Sequence, residues 1–175
     1  MFEYAVGYLA RRAASSAELA VKLRAKAANP ADVDHSIARL REIGYLNDER
    51  FAESFVARRV ENEGFGKARL LSDLRARRVP SSLAEPAVAQ ALEGRNESDM
   101  ADAWIRRRMP RLAAEGNAAE GKIEDQRKLA SAWRRLRRAG FSSAAALGAL
   151  KRLAAKPDEL EEPAPDEVED EVEEQ

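Results

Sequence analysis

Apolar residues recur along this chain at helical spacing in nine stretches, and most of these stretches open and close on residues that start or stop a helix. Phe2, Val6 and Leu9 mark the first, over residues 2–12. Ser15 opens the second, with Glu18 at capping-box spacing and Leu19, Leu23 and Ala27 as its stripe. Asn29 caps the third, Pro30 takes its first position and Asp32 its first turn; Val33, Ile37, Leu40 and Ile43 form its buried face and Gly44 stops it. Asn47 caps the fourth, with Leu46 and Phe51 placed as a hydrophobic staple and Phe51, Ala52, Phe55 and Val56 facing inward. Gly64 and Gly66 break the chain before a fifth helix over Lys67–Arg78, which buries Leu70, Leu71 and Leu74. Ser82 and Glu85 predict a second capping box, with Pro86 in the first turn of a sixth helix carrying Val88, Ala91 and Leu92. Asn96 or Ser98 starts the seventh, anchored by Met100, Trp104 and Ile105, and Pro110 kinks or ends it. Residues 113–122 lack an apolar period and read as a mobile loop. The eighth helix covers about 123–139 up to Gly140, and Ser142 caps a ninth that ends near Ala155.

These helices repeat in threes. Tyr4-Ala5, Tyr8-Leu9 and Arg11-Arg12 return as Phe51-Ala52, Phe55-Val56 and Arg58-Arg59, and again as Met100-Ala101, Trp104-Ile105 and Arg107-Arg108, at offsets of 47 and 49 residues. Leu19, Leu23, Arg24, Ile37 and Leu40 correspond to Leu70, Leu74, Arg75, Val88 and Ala91, and then to Leu129, Trp133, Arg134, Leu147 and Leu150. The expected fold is all-α: three tandem three-helix repeats forming an elongated, curved array, over residues 1–45, 46–95 and 96–156. Residues 157–175 are expected to be a disordered acidic C-terminal tail, rich in Pro and without an aromatic residue.

Charge sharpens this picture. The net charge of −1 hides a segregation, because residues 157–175 hold eleven Asp or Glu and no base. Without them, 30 basic residues face 20 acidic ones, so residues 1–156 carry about +10. Of the 30 bases, 23 are Arg, whose planar fork matches phosphate and carboxylate bidentately. On the eighth helix Arg127, Arg134 and Arg138 fall opposite the stripe of Leu129, Ala132, Trp133 and Leu136, flanked by Lys128 and Arg135. The pairs Arg11-Arg12, Arg58-Arg59 and Arg107-Arg108 take one place per repeat; they are either a basic stripe or helix-end arginines paired with neighbours such as Glu61 or Glu63.

Catalytic chemistry finds little purchase. The chain has no cysteine, and its one histidine, His35, lies opposite the apolar face of its helix. Gly64-Phe65-Gly66-Lys67 has the wrong glycine spacing for a phosphate loop, and neither HExxH nor GxSxG occurs. No catalytic, cofactor or metal site is assigned, and the chain is read as a non-enzyme. The aromatic residues fall on apolar stripes, which suits core packing better than base stacking. No apolar run reaches the roughly 20 residues of a membrane span, and no signal-peptide apolar region opens the chain, so a cytoplasmic protein is expected.

Gly44-Tyr45-Leu46-Asn47-Asp48-Glu49-Arg50-Phe51-Ala52, followed by Phe55-Val56 and by Arg69-Leu70 with Leu74-Arg75, resembles the central signature of the RecX family of recombinase regulators. Ala17-Glu18-Leu19, Leu23-Arg24 and the Leu-Arg-Arg-x-Gly-Phe-Ser of residues 136–142 extend the resemblance to roughly residues 4–155. It implies a bacterial cytoplasmic protein that binds the RecA filament and restrains its assembly, ATP hydrolysis and strand exchange; some members also bind DNA weakly, which makes DNA, bound without sequence specificity, a second candidate partner. Arg78 departs from the family by standing where a glycine is common, as Ala28 does at the similar turn of the first repeat, and Lys67 replaces a frequent proline. The acidic tail is not a general family feature.

The expected function is therefore negative regulation of RecA by a monomer, in DNA repair and recombination. Arg24, Arg58, Arg59, Arg75, Arg77, Arg127, Arg134 and Arg138 are the candidate contacts to filament or nucleic acid, chosen for recurrence and helical phase. The alternative is a general basic nucleic-acid-binding protein with no recombinase partner. The acidic tail is either a polyanion mimic competing for the basic surface or a solubilising extension.

Overall fold

The structure, a computed structural model, describes residues 1–116 and 123–162. Among these every regular element is helical apart from one isolated bridge, and the chain divides into two compact units, Met1–Gly94 and Arg95 onward. The first unit holds α1 (Phe2–Arg11), α2 (Ser16–Arg24), α3 (Pro30–Glu42), α4 (Asp48–Glu63), α5 (Lys67–Ala76) and α6 (Ser81–Leu92). The second holds α7 (Glu97–Arg108), α8 (Pro110–Gly116), α9 (Gln126–Arg138), α10 (Ser143–Leu153) and a 3-10 turn at Pro157–Glu159.

In the first unit the punctuation mostly works as its chemistry dictates. Ser15, Asn29 and Asn47 each accept a hydrogen bond from a first-turn amide, those of Glu18, Ala31 and Arg50. Gly44 takes φ +75°, which lets the amides of Tyr45 and Leu46 both return to the Leu40 carbonyl at 2.9 and 3.1 Å. This turn carries Leu46 into the first core, with Leu19, Leu23, Val33 and Leu40. Phe51 belongs to the second core, with Leu70, Leu74 and Val88, so the staple expected between Leu46 and Phe51 is replaced by a division of the two residues between neighbouring cores. Ile43, expected on the buried face of α3, is 41% exposed, because it lies past the helix end where the chain turns away.

The second capping box does not form. Pro80 is the N-cap of α6, the helix begins at Ser81, and no side chain caps it; the Leu83 and Ala84 amides bond to the Pro80 carbonyl instead. Pro86 thus lies inside α6, beyond its first turn. Its missing N–H leaves the helix one internal bond short, and the helix continues to Leu92 because Ala84, Ala87 and Val88 are packed into the core on one side.

In the second unit, α7 ends at Arg108 and Pro110 starts α8, so residues 113–116 of the expected loop are helical. Residues 117–122 lie outside the described residues. Ala113 and Gly116 are buried, and Gly116 runs so close to α10 that an added Cβ would sit 2.7 Å from Leu153 Cβ. The chain then pairs Ile123 with Ala154 in a single parallel bridge, with bonds to the Leu153 carbonyl and from the Ala155 amide. Residues 157–162 of the expected tail are described: Pro157–Glu159 form the 3-10 turn, and Leu160 is 7% exposed. Residues 163–175 lie outside the description.

The repeat is visible in burial: Ala5, Ala52 and Ala101, the small residue of each first helix, are all 0% exposed. The third repeat keeps a different register from the one read off the sequence. α9 has 13 residues against 10 in α5, about one extra turn. Helix starts therefore follow the sequence alignment and helix ends do not. Val79 N–H bonds to the Leu74 carbonyl, and Phe141 N–H to that of Leu136, which pairs Leu74 with Leu136 rather than with Trp133. By the same register Val88 pairs with Leu150, both fully buried.

Arg78 and Gly140 occupy this equivalent turn, and Arg78, at φ +58°, is the one non-glycine residue with positive φ among those described. The left-handed conformation costs an L-residue about 1–2 kcal/mol, partly offset by the extra unfolded-state freedom of glycine. Arg78→Gly should therefore raise unfolding free energy by about 0.5–1 kcal/mol, read as a higher urea midpoint with an unchanged slope, whereas Arg78→Ala should bring no such gain. Gly116→Ala should cost about 1–3 kcal/mol by overpacking against Leu153, measured in the same way.

Candidate functional site

The first two repeats meet where the start of α2 abuts the end of α5. The buried Ser15 hydroxyl caps α2 and also donates to the carbonyl of Arg77, the C-cap of α5, at 2.6 Å. Placing a helix N-terminus on a helix C-terminus brings opposite ends of two dipoles together. The Arg77 side chain folds back over the same junction. Its Nε donates to Glu18 Oε2 at 2.8 Å, its Nη2 donates to the Ala13 carbonyl at 2.8 Å, and its guanidinium lies 5.2 Å from the Phe51 ring and 5.5 Å from that of Phe55. Glu18 thus serves Arg77 and Arg12, and the reciprocal half of the expected capping box gives way to this stronger charged partner. On the other side of α2, the Ser16 amide donates to Asp48 Oδ1 at 2.6 Å, while Arg41 reaches both Ser16 Oγ and Asp48 Oδ2. Asp48 of the Gly-Tyr-Leu-Asn-Asp stretch therefore ties α4 to α2 and α3.

This junction shapes a cleft of about 460 Å³ in the first unit. Arg11 and Arg12 enter it from the end of α1, Arg58 and Arg59 from α4, and Arg77 from the end of α5, beside Phe51 and Phe55, whose rings stack at 5.9 Å. Glu63 is the one acid in the lining. Arg59 lies 3.5 Å from Asp73 Oδ2, an ion pair without a hydrogen bond, and its guanidinium covers the Phe55 and Phe65 rings. Arg69 takes the other oxygen of Asp73 at 2.9 Å. Arg11, Arg12 and Arg58 are exposed.

The candidate residues thus fall into three groups. Arg58, Arg59 and Arg77 converge on the cleft, with Arg77 also holding the junction together. Arg24, exposed and 3.4 Å from Asp34, and Arg75, exposed near the end of α5, are not in its lining. Arg127, Arg134 and Arg138 belong to α9 in the second unit, where Arg127 and Arg138 are exposed and Arg134 is half-buried. Of the flanking bases there, Lys128 pairs with Glu115 at 3.0 Å and Arg135 donates to the Arg108 carbonyl at 3.3 Å. The residues that recurrence marked without selecting are Arg11 and Arg12; the pair shared with Arg58-Arg59 was the signal that could have placed them in one site. Glu18 and Ser15 had no such signal, because a cap looks the same in sequence whether or not it also bridges two repeats. Within Gly44–Asp48, Tyr45 faces outward at 63% exposure, while Gly44, Leu46, Asn47 and Asp48 turn, pack, cap and tie the fold. No group of three or more His, Cys, Asp or Glu able to hold a metal occurs among the described residues, and no helix among them is long and apolar enough to cross a membrane.

Three-helix repeats around small buried alanines, with arginines gathered at a repeat junction, define a helical-repeat protein that carries a basic cleft. The family description "RecX, first three-helix domain" matches residues 2–40, and "RecX, second three-helix domain" matches residues 47–88. The "Regulatory protein RecX" of Syntrophotalea carbinolica is 32% identical over 142 residues, spanning 80% of this chain and 87% of that relative. That of Deinococcus radiodurans is 32% identical over 164 residues, spanning 93% of this chain and 73% of its own. The crystal structure of RecX from Lactobacillus salivarius superposes with a TM-score of 0.66 at 18% identity, covering 87% of this chain and 93% of that one; at this identity the likeness speaks for the fold. The chain belongs to the RecX family, whose curated members carry the name regulatory protein.

The junction can be tested apart from any partner. Ser15→Ala removes a cap and a buried bond together and should cost about 1–3 kcal/mol. Combined with Arg77→Ala in a double-mutant cycle, it should show a coupling of about 0.5–3 kcal/mol, and Arg77→Lys should rescue little, because an ammonium cannot span Glu18 and the Ala13 carbonyl as the fork does.

Proposed function

We propose that this protein binds the RecA recombinase filament and restrains its assembly, ATP hydrolysis and strand exchange, acting as a monomer in the bacterial cytoplasm and catalysing no reaction itself. Membership of a family of regulatory proteins supports the reading. The observation that carries it to particular residues is the cleft: five arginines from three helices line one concavity whose lining offers a single acid. Gathering guanidinium groups is unfavourable by itself, and an anionic surface seated among them relieves it. Arg58, Arg11 and Arg12 are the contact residues of this cleft, while Arg59 and Arg77 are held against aromatic rings and carboxylates and set its shape. Arg24, Arg75, Arg127, Arg134 and Arg138 supply further positive surface for filament or DNA phosphate. Tyr45, outward-facing in an otherwise structural stretch, is a further contact of the same interface.

A DNA-dependent ATPase assay of RecA tests this directly. The chain should suppress hydrolysis, and the double variant Arg11→Glu, Arg58→Glu should lose about tenfold or more in potency, the equivalent of about 1.4 kcal/mol, while unfolding normally. Unchanged hydrolysis at saturating protein would overturn the reading, and a fully potent double variant would remove the cleft from it. A protein that simply bound nucleic acid would instead weaken on naked DNA with a salt slope near one per phosphate contacted, and would gain nothing from the filament.

A further inference from the structure

We propose that the edge of α9 is a docking surface for an acidic chain segment, and that its occupant is the chain's own residues 163–175, led in by Leu160. Leu160 is the point where the structure turns an acidic sequence into a packed one. It is buried in a cleft of about 320 Å³ with Leu129, Trp133, Leu147 and Leu150, and Glu161 lines the same cleft beside Arg127 at the first turn of α9. The bridge between Ile123 and Ala154 fixes the chain just before it. The path of the chain is therefore set down against α9 before residues 163–175 begin.

Charge then selects the surface. α9 carries six bases, Arg127, Lys128, Arg134, Arg135, Arg137 and Arg138, and no acid. Lys128 is answered by Glu115, but Arg135 and Arg137 donate to backbone carbonyls, which engages a donor of each without cancelling its charge. Arg127, Arg134 and Arg138 stand on one line of the helix, at i, i+7 and i+11. Residues 163–175 hold seven acids, two valines and no base. From Arg127 to Arg138 the helix rises about 16 Å, and thirteen residues can extend roughly 40 Å, so the segment can lie along the whole line. A tether this short holds it at an effective concentration in the millimolar range, enough for weak ion pairs to keep the surface covered at low salt. A polyanionic or acidic partner must displace it to reach these arginines.

The chain has no cysteine, so Val172→Cys in the full chain takes a single nitroxide label. At about 50 mM salt, amide signals across Arg127–Arg138 should lose roughly twofold or more of their intensity, and recover at about 1 M salt, where screening acts within about 3 Å. Changing the seven acids to their amides should abolish the loss, and Leu160→Ala should reduce it while leaving the α7 signals in place. Undiminished α9 signals would overturn the proposal. So would a loss that survives removal of the acids, one centred on the Arg11–Arg58 cleft, or one seen only between a spin-labelled copy and an isotope-labelled copy.

Discussion

The first unit depends on one hydroxyl. Ser15 has an oxygen that completes α2 and a proton that completes α5, and both partners belong to helix ends that would otherwise be buried with unmet backbone groups. Because its site excludes water, the bond has no solvent substitute, and the two repeats must meet in the geometry that satisfies it. Arg77 locks that geometry from outside with Glu18 and the Ala13 carbonyl, and its flat cation covers the stacked Phe51 and Phe55. The cleft is a by-product of this arrangement: with α1 and α4 held on either side of Arg77, the arginine pair at the end of α1 and the pair within α4 line one concavity.

One arginine thus illustrates why charge counts alone mislead. Arg77 and Arg58 look alike in sequence, each the first of an arginine pair in an amphipathic helical stretch. Arg77 has 20% of its side chain exposed and spends its donors inside the fold, whereas Arg58 is exposed at the mouth of the same cleft. The first is needed to build the surface and the second is available to use it. The same division runs through the Gly-Tyr-Leu-Asn-Asp stretch, where Gly44, Leu46, Asn47 and Asp48 build and Tyr45 faces solvent.

Most helices were legible because their signals are local. Asn29, Asn47 and Gly44 act within a turn of themselves, and apolar spacing chose Leu19, Leu70 and Leu129 as buried. What escaped was either a competition or a change of length. Glu18 was drawn from its own cap by Arg77, some sixty residues away, and Ser82 lost its capping role because Pro80 already offered a carbonyl in the right place. The extra turn of α9 keeps the helix start in step and displaces its end, so an alignment anchored on Leu129 carries Trp133 to the wrong partner. Leu160 was invisible among acids and prolines, because a lone aliphatic residue has no period to reveal it. The candidate site was half legible: recurrence singled out the arginine pairs, but only the junction shows that two of them face one cleft.

The proposed role of these arginines is to serve a recombinase filament rather than nucleic acid in general. Equilibrium binding of the full chain to RecA filaments formed on single-stranded DNA, compared at one salt concentration with binding to the same DNA bare, separates the two most directly. The filament should be bound about tenfold or more tightly, a difference of about 1.4 kcal/mol. Equal affinity for filament and bare DNA would contradict it.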